Sequence, residues 1–173
     1  TVMHADIFVV EGRMNLAKAD RLRDGSGITD QSLLADAATS FEEALAIDRE
    51  SGIAWLGLAR VQRLLGQTEK AEETLTRARR LMDDEDPSAA AESALLALDK
   101  GDLELATQHI DAASIRGEGS IMSYVRGNIA ARKGHLKNAL THFNEALESD
   151  HLHVRARLNR CSLHMGLDNA QAA

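Results

Sequence analysis

A block of alternating small and bulky residues returns four times in this chain, each time about one helical hairpin further on. It reads SLLADAATSFEEA from Ser32, GQTEKAEETLTRA from Gly66, GDLELATQHIDAA from Gly101 and GHLKNALTHFNEA from Gly134. Its leading alanines, Ala37, Ala71, Ala106 and Ala139, lie 34, 35 and 33 residues apart. The bulky residue four places on (Phe41, Leu75, Ile110, Phe143) and the alanine beyond it (Ala44, Ala78, Ala113, Ala146) keep the same step. A period of this length implies a stack of similar supersecondary units, each burying its apolar face against its neighbours. Few other folds are compatible with it.

An amphipathic helix precedes each central glycine. These helices run from Ile53 to Gly66, Pro87 to Gly101, Ile121 to Gly134 and His153 to Gly166, with apolar residues at helical spacing. Asp86 is a ready N-cap, and Pro87 suits the first helical position, where its missing N–H costs nothing. Gly66, Gly101, Gly134 and Gly166 are expected to end their helices in the left-handed conformation, which glycine adopts without strain. After Gly166 a returning second helix is expected to begin and stop within about two turns. The first hairpin is irregular: its opening helix should run from about Asp6 to Arg23. The stretch RDGSGITD, residues 23–30, then reads as an inserted surface loop, a place where a partner can touch. The units so defined span residues 5–48, 52–85, 86–118, 119–151 and a partial fifth at 152–173.

Composition narrows the class. One proline in 173 residues suits long helices and argues against a strand-and-turn protein. A net charge of −7 argues against nucleic acid as the partner of the whole surface. A single cysteine, Cys161, rules out an internal disulfide framework. No apolar stretch reaches the length of a membrane span. The abundance of Ala, Leu and Arg over Lys is that expected of a GC-rich bacterial genome. The chain opens TVMH without an initiator methionine, and it reads as a segment of a longer array. A cytoplasmic location is expected, with the periplasm as the alternative.

These residues resemble the tetratricopeptide repeat, a 34-residue helix–turn–helix unit. Trp55, Leu58, Ala59, Gly66, Ala71, Leu75 and Ala78 stand at the family's signature places, and the resemblance runs from about Ala5 to the C-terminus. The physical logic is readable beside it. Small residues let the two helices of a pair approach closely, and Leu75, Ile110 and Phe143 fill the gap to the next pair. The usual proline at the end of the second helix is missing from every unit, and Arg126 stands where a leucine is usual. The resemblance implies an all-α, right-handed superhelical solenoid of antiparallel helix pairs, with four full repeats and the start of a fifth. It also implies that the first helix of each pair lines a concave groove.

That implication makes the charge distribution informative. The first helices carry +2 (53–65), −1 (87–100), +3 (121–133) and +3 (153–165), whereas the second helix 31–48 carries −4 and 136–150 carries −2. An acidic chain is thus expected to hold a basic inner surface. Groove candidates, by resemblance, are Arg60, Arg63, Asn128, Arg132, Arg157 and Arg160, with Tyr124 as an aromatic platform. Arginine forks pair bidentately with carboxylates, so the expected partner is a protein presenting an acidic extended or helical segment. Receptors for chaperone tails in this family grip a C-terminal carboxylate with a lysine–asparagine pair. Here the matching places hold Val9 and Arg13, then Leu56 and Arg60, so that activity is not expected.

Catalytic signals are absent from the sequence. His142, His151, His153 and His164 gather near the last loop, but no cysteine partner or HExxH spacing accompanies them, and no metal site is expected. Cys161 has no ordered base beside it. No phosphate loop or catalytic carboxylate pair appears, so no cofactor, small-molecule substrate or enzyme activity is expected. The reading is a non-catalytic interaction module, a scaffold or adaptor in an assembly, secretion or regulatory complex. Two alternatives are a scaffold that self-assembles through the ends of the array and, with less support, a nucleic-acid-binding array.

Overall fold

The computed structural model describes residues 2–21, 31–83, 86–113 and 119–171. Nine helices and no strand occur among them: α1 (Val2–Arg21), α2 (Gln31–Ile47), α3 (Gly52–Leu64), α4 (Thr68–Leu81), α5 (Pro87–Asp99), α6 (Leu103–Ala113), α7 (Ser120–Arg132), α8 (Leu136–Ser149) and α9 (Val154–Gln171). Successive helices pair as α1·α2, α3·α4, α5·α6 and α7·α8, and each pair packs on the next. The chain is an all-α repeat solenoid. The insertion at 23–30 lies outside the described residues.

The periodic side chains do the packing expected of them. All eight repeat alanines are buried, as are Phe41, Leu75, Ile110 and Phe143. Their size pattern is a fitted one. An added Cβ on Gly12 of α1 would stand 2.8 Å from the Phe41 ring, and one on Gly57 of α3 would stand 2.4 Å from it. Phe41 therefore lies in a slot between two helices that only glycine leaves wide enough. Gly127 faces Phe143 in the same way, at 2.5 Å.

Local chemistry sets the helix ends. Asp86 Oδ1 accepts from the Ser88 N–H (2.8 Å) and the Ala89 N–H (3.1 Å), with Pro87 opening α5. Gly66, Gly101 and Gly134 take φ of +73°, +82° and +77° where the chain reverses into the second helix of its pair. Gly166 departs from expectation. It lies inside α9, which continues through it to Gln171 as one helix. The first three turns serve a returning helix that packs back. At Gly166 the hydrogen-bond ladder continues despite the ~1 kcal/mol a helical glycine costs. The opening helix also ends at Arg21 rather than Arg23.

Two larger cores fill the array, one among α1–α3 and one among α5–α9. Between them sits a smaller cluster of Ala59, Ala71, Leu75 and Leu96. Every residue from Ala89 to Leu98 of α5 is buried, Glu92 and Ser93 included. A helix enclosed on all sides is usually apolar all round, so Glu92 must have partners. They come from the inner faces of the neighbouring first helices.

Candidate functional site

The inner faces of α1, α3, α5 and α9 bring three arginines against three carboxylates. Arg63 Nε donates to Glu92 Oε1, both side chains being 8% exposed, and Arg63 Nη1 donates to Asp99 Oδ2 at 3.0 Å. Arg155 Nε donates to Asp20 Oδ1 at 2.8 Å, with its Nη2 on the same oxygen. Arg60 Nη2 reaches Asp20 Oδ2 at 3.3 Å. Burial opposes the charge on Arg63, but Glu92 and Asp99 outweigh it and raise its pKa. Burial likewise opposes ionisation of Glu92, yet Arg63 and Arg60 hold its carboxyl below the ordinary range. Arg60 is lowered, first by burial and then by Arg155 beside it.

Beyond this network lies an open cleft of about 660 Å³. Its walls include Arg63, Leu95, Asp99, Tyr124, Asn128, Arg132, Arg155 and Asn159. Asn159 Nδ2 donates to Asn128 Oδ1 at 2.7 Å, joining α9 to α7. Among the described residues, two buried donors of lining side chains, Arg63 Nη2 and Asn128 Nδ2, have no hydrogen-bond partner. Exposed Arg132 meets only a backbone carbonyl among the described residues, Leu98 O at 3.5 Å. Buried polar groups are nearly always satisfied. A cleft lined by Arg63, Asn128, Arg132, Arg155 and Asn159 suits a ligand rich in oxygen acceptors.

The candidates read from sequence are therefore divided. Arg63, Tyr124, Asn128 and Arg132 share the cleft. Arg60 lines an adjoining cavity of about 230 Å³ with Asp20, Tyr124, His153 and Arg155. Tyr124 is only 6% exposed, with its ring 4.8 Å from His153 and 6.2 Å from Phe143, so it is no open platform. Arg157 and Arg160 stand apart from the cleft lining. Arg157 Nη2 donates to the His151 carbonyl, and Arg160 Nη1 donates to Asn144 Oδ1 at 3.0 Å.

Sequence reasoning missed Asp20, Glu92, Arg155 and Asn159. The Asn128–Asn159 bond joins positions 31 residues apart on α7 and α9. Two residues turn a side chain by about 200° around a helix, so Arg155 and Arg157 face different ways, and it is Arg155 that lines the cleft. The histidines do not converge: His142 pairs with Glu145 at 2.9 Å, and His153 stacks on Tyr124. No group of three His, Cys, Asp or Glu side chains able to hold a metal ion occurs among the described residues.

Two tetratricopeptide repeat profiles match the chain, one over residues 29–97 and one over 92–152. With the solenoid of helix pairs, they establish that the chain belongs to the tetratricopeptide repeat family, whose arrays are scaffolds for protein–protein interaction. Solved structures share the fold. The APC/C hetero-tetramer Cut9–Hcn1 aligns with a TM-score of 0.59 at 22% identity, over 66% of this chain and 22% of that one. The chain thus spans about a fifth of that relative's length. A thermophilic TPR protein of Thermus thermophilus, TTC0263, aligns with a TM-score of 0.53 at 17% identity, over 78% of this chain and 92% of that one. MamA from Desulfovibrio magneticus RS-1 aligns with a TM-score of 0.53 at 13% identity, over 94% and 88%. At such identities the likeness concerns the fold alone. No curated protein matches the sequence. No described helix is long and apolar enough to cross a membrane.

Proposed function

We propose that the chain is a non-catalytic adaptor whose inner cleft holds an extended segment of a partner protein. The observation that carries this reading is the donor-rich lining of the cleft, where exposed Arg132 stands with Arg63, Asn128, Arg155 and Asn159. An extended peptide presents a carbonyl at every residue, and acidic side chains add carboxylates. Exposed Arg132 at the rim favours an acidic segment. Arg63 and Arg155 contribute less net charge than their number suggests, because Glu92, Asp99 and Asp20 already pair with them.

The test is selection of binders from a displayed random dodecapeptide library, followed by titration of the selected peptides. Asn128→Ala should weaken them by about 3–10-fold, the scale of one net hydrogen bond. Arg132→Glu should weaken acidic peptides more, and increasingly so at low salt. Selected peptides indifferent to both substitutions would overturn the assignment of the cleft.

A second reading rests on a separate observation. Ile7, Val10 and Met14 form an exposed stripe along α1, and Leu158 and Met165 lie exposed on α9. Such stripes suit association of copies through the array ends. Sedimentation across a concentration series should then reveal oligomers that Val10→Lys abolishes.

A further inference from the structure

We infer that Arg60 and Arg155 form a carboxylate-binding bracket, which the chain fills with its own Asp20 and which a partner's acidic side chain takes over by displacing that residue. The inference rests on the peptide-binding reading above and adds to it a regulated, acid-specific subsite.

A solenoid is held by contacts between neighbouring units. The meeting of α1 with α9 is not of that kind. Asp20 and Arg155 are 135 residues apart in sequence, and theirs is the hydrogen-bonded link between these two helices among the described residues. Asp20 is gripped on both oxygens, Oδ1 by Arg155 and Oδ2 by Arg60. Each carboxylate oxygen thus accepts charge-assisted hydrogen bonds from a different guanidinium, among the stronger interactions a carboxylate makes. The bracket also holds a donor that Asp20 does not fill, since Arg60 Nε is buried without a partner among the described residues. Nothing in the geometry requires the carboxylate to come from α1.

The bracket opens onto the cleft. Tyr124 and Arg155 line both the large cleft and the smaller cavity around Asp20 and Arg60. A segment lying along the cleft can therefore place an Asp or Glu side chain where Asp20 now sits. With Asp20 removed, Arg155, whose side chain is 7% exposed, would be left as an uncompensated buried charge. Separation of α1 from α9 relieves that strain by letting water in. Because neighbour contacts stay intact, the array opens without unfolding. Asp20 thus latches the array and competes with the partner at once.

Spin labels on native Cys161, which is exposed, and on Lys18→Cys report the α1–α9 separation by double electron–electron resonance, with excess unlabelled protein suppressing intermolecular distances. Asp20→Asn should lengthen and broaden that distance and bind fluorescein-labelled hexaglutamate at least about 5-fold more tightly than the parent. Adding Arg155→Gln to Asp20→Asn should abolish the gain. An unchanged distance in Asp20→Asn overturns the latch, and an unchanged hexaglutamate affinity overturns the competition. If Asp20→Asn does not fold, saturating hexaglutamate on the otherwise native protein must lengthen the same distance, and failure to do so overturns the proposal equally. The unliganded distance owes nothing to any peptide, whereas the dependence of selected peptides on Asn128 tests the cleft. The two readings therefore fail separately.

Discussion

Glu92→Leu isolates the most consequential charge pair in the molecule. Both Glu92 and its partner Arg63 are 8% exposed, so neither can exchange the other for water. Removing one member of a buried pair costs about 3–5 kcal/mol, because the survivor stays desolvated and uncompensated. Here Arg63 keeps Asp99 at 3.0 Å, but that carboxylate is 44% exposed and holds it weakly. The loss should fall near the lower end, about 3 kcal/mol, a large share of the roughly 5–15 kcal/mol typical of a domain. Combining Glu92→Leu with Arg63→Met removes both desolvated charges, and such exchanges are neutral or stabilising. The double variant should lie within about 1 kcal/mol of the parent, so the losses of the two single variants should be far from additive. Urea unfolding followed by far-ultraviolet circular dichroism measures all four corners of the cycle. The pH dependence gives an independent check. Glu92 has a folded pKa held below its ordinary value of 4.5. Its contribution is whole above about pH 4.5 and drains as pH falls through the folded value. That acid limb should vanish in the double variant. A single variant within about 1 kcal/mol of the parent, or a double variant weaker than both singles, would refute the argument from desolvation.

Gly57→Ala sets helix propensity, worth about 1 kcal/mol in favour of alanine, against a Cβ placed 2.4 Å from the fully buried Phe41 ring. Overpacking of about 1–3 kcal/mol should win, and a raised melting temperature would contradict the slot. Gly101→Ala meets nothing within 4 Å but must hold φ near +82°, so thermal melts should show a loss of about 1 kcal/mol from backbone strain alone. His153 is held below its ordinary value of 6.5, first by burial and then by Arg155 and Arg60 against the opposing pull of Asp150. Its neutral form is the one that folding favours, so stability should fall as pH drops below 6.5. His153→Asn should flatten that slope, and an unchanged slope would remove His153 as the group responsible.

The fold was legible because it rests on one-dimensional information. Ala71, Leu75 and Ala78 recur with a period, and period alone dictates which helix faces meet. The N-cap at Asp86 and the left-handed turns at Gly66, Gly101 and Gly134 were legible for the same reason, each being a local matter. Gly166 was not, because whether a glycine ends a helix depends on whether a returning helix packs beyond it. The site was half legible. Charge by helix predicted a basic inner face, but not that Asp20 and Glu92 would neutralise much of it. Those pairs span 135 and 29 residues and follow from how the array curls. Arg155 was missed because three arginines follow one another closely in α9, at 155, 157 and 160, and composition alone does not say which of them faces inward.

The division of the interior bears on how the molecule comes apart. Among the described residues, the small cluster of Ala59, Ala71, Leu75 and Leu96 lies between the α1–α3 core and the α5–α9 core; ion pairs from Arg63 and Lys100 cross the same join, and Asp20–Arg155 ties α1 to α9 beside it. Amide exchange should accordingly resolve two blocks with separate opening energies rather than one. Under tension the protein should part first at its waist, each half holding its shape while the crossing between them gives way.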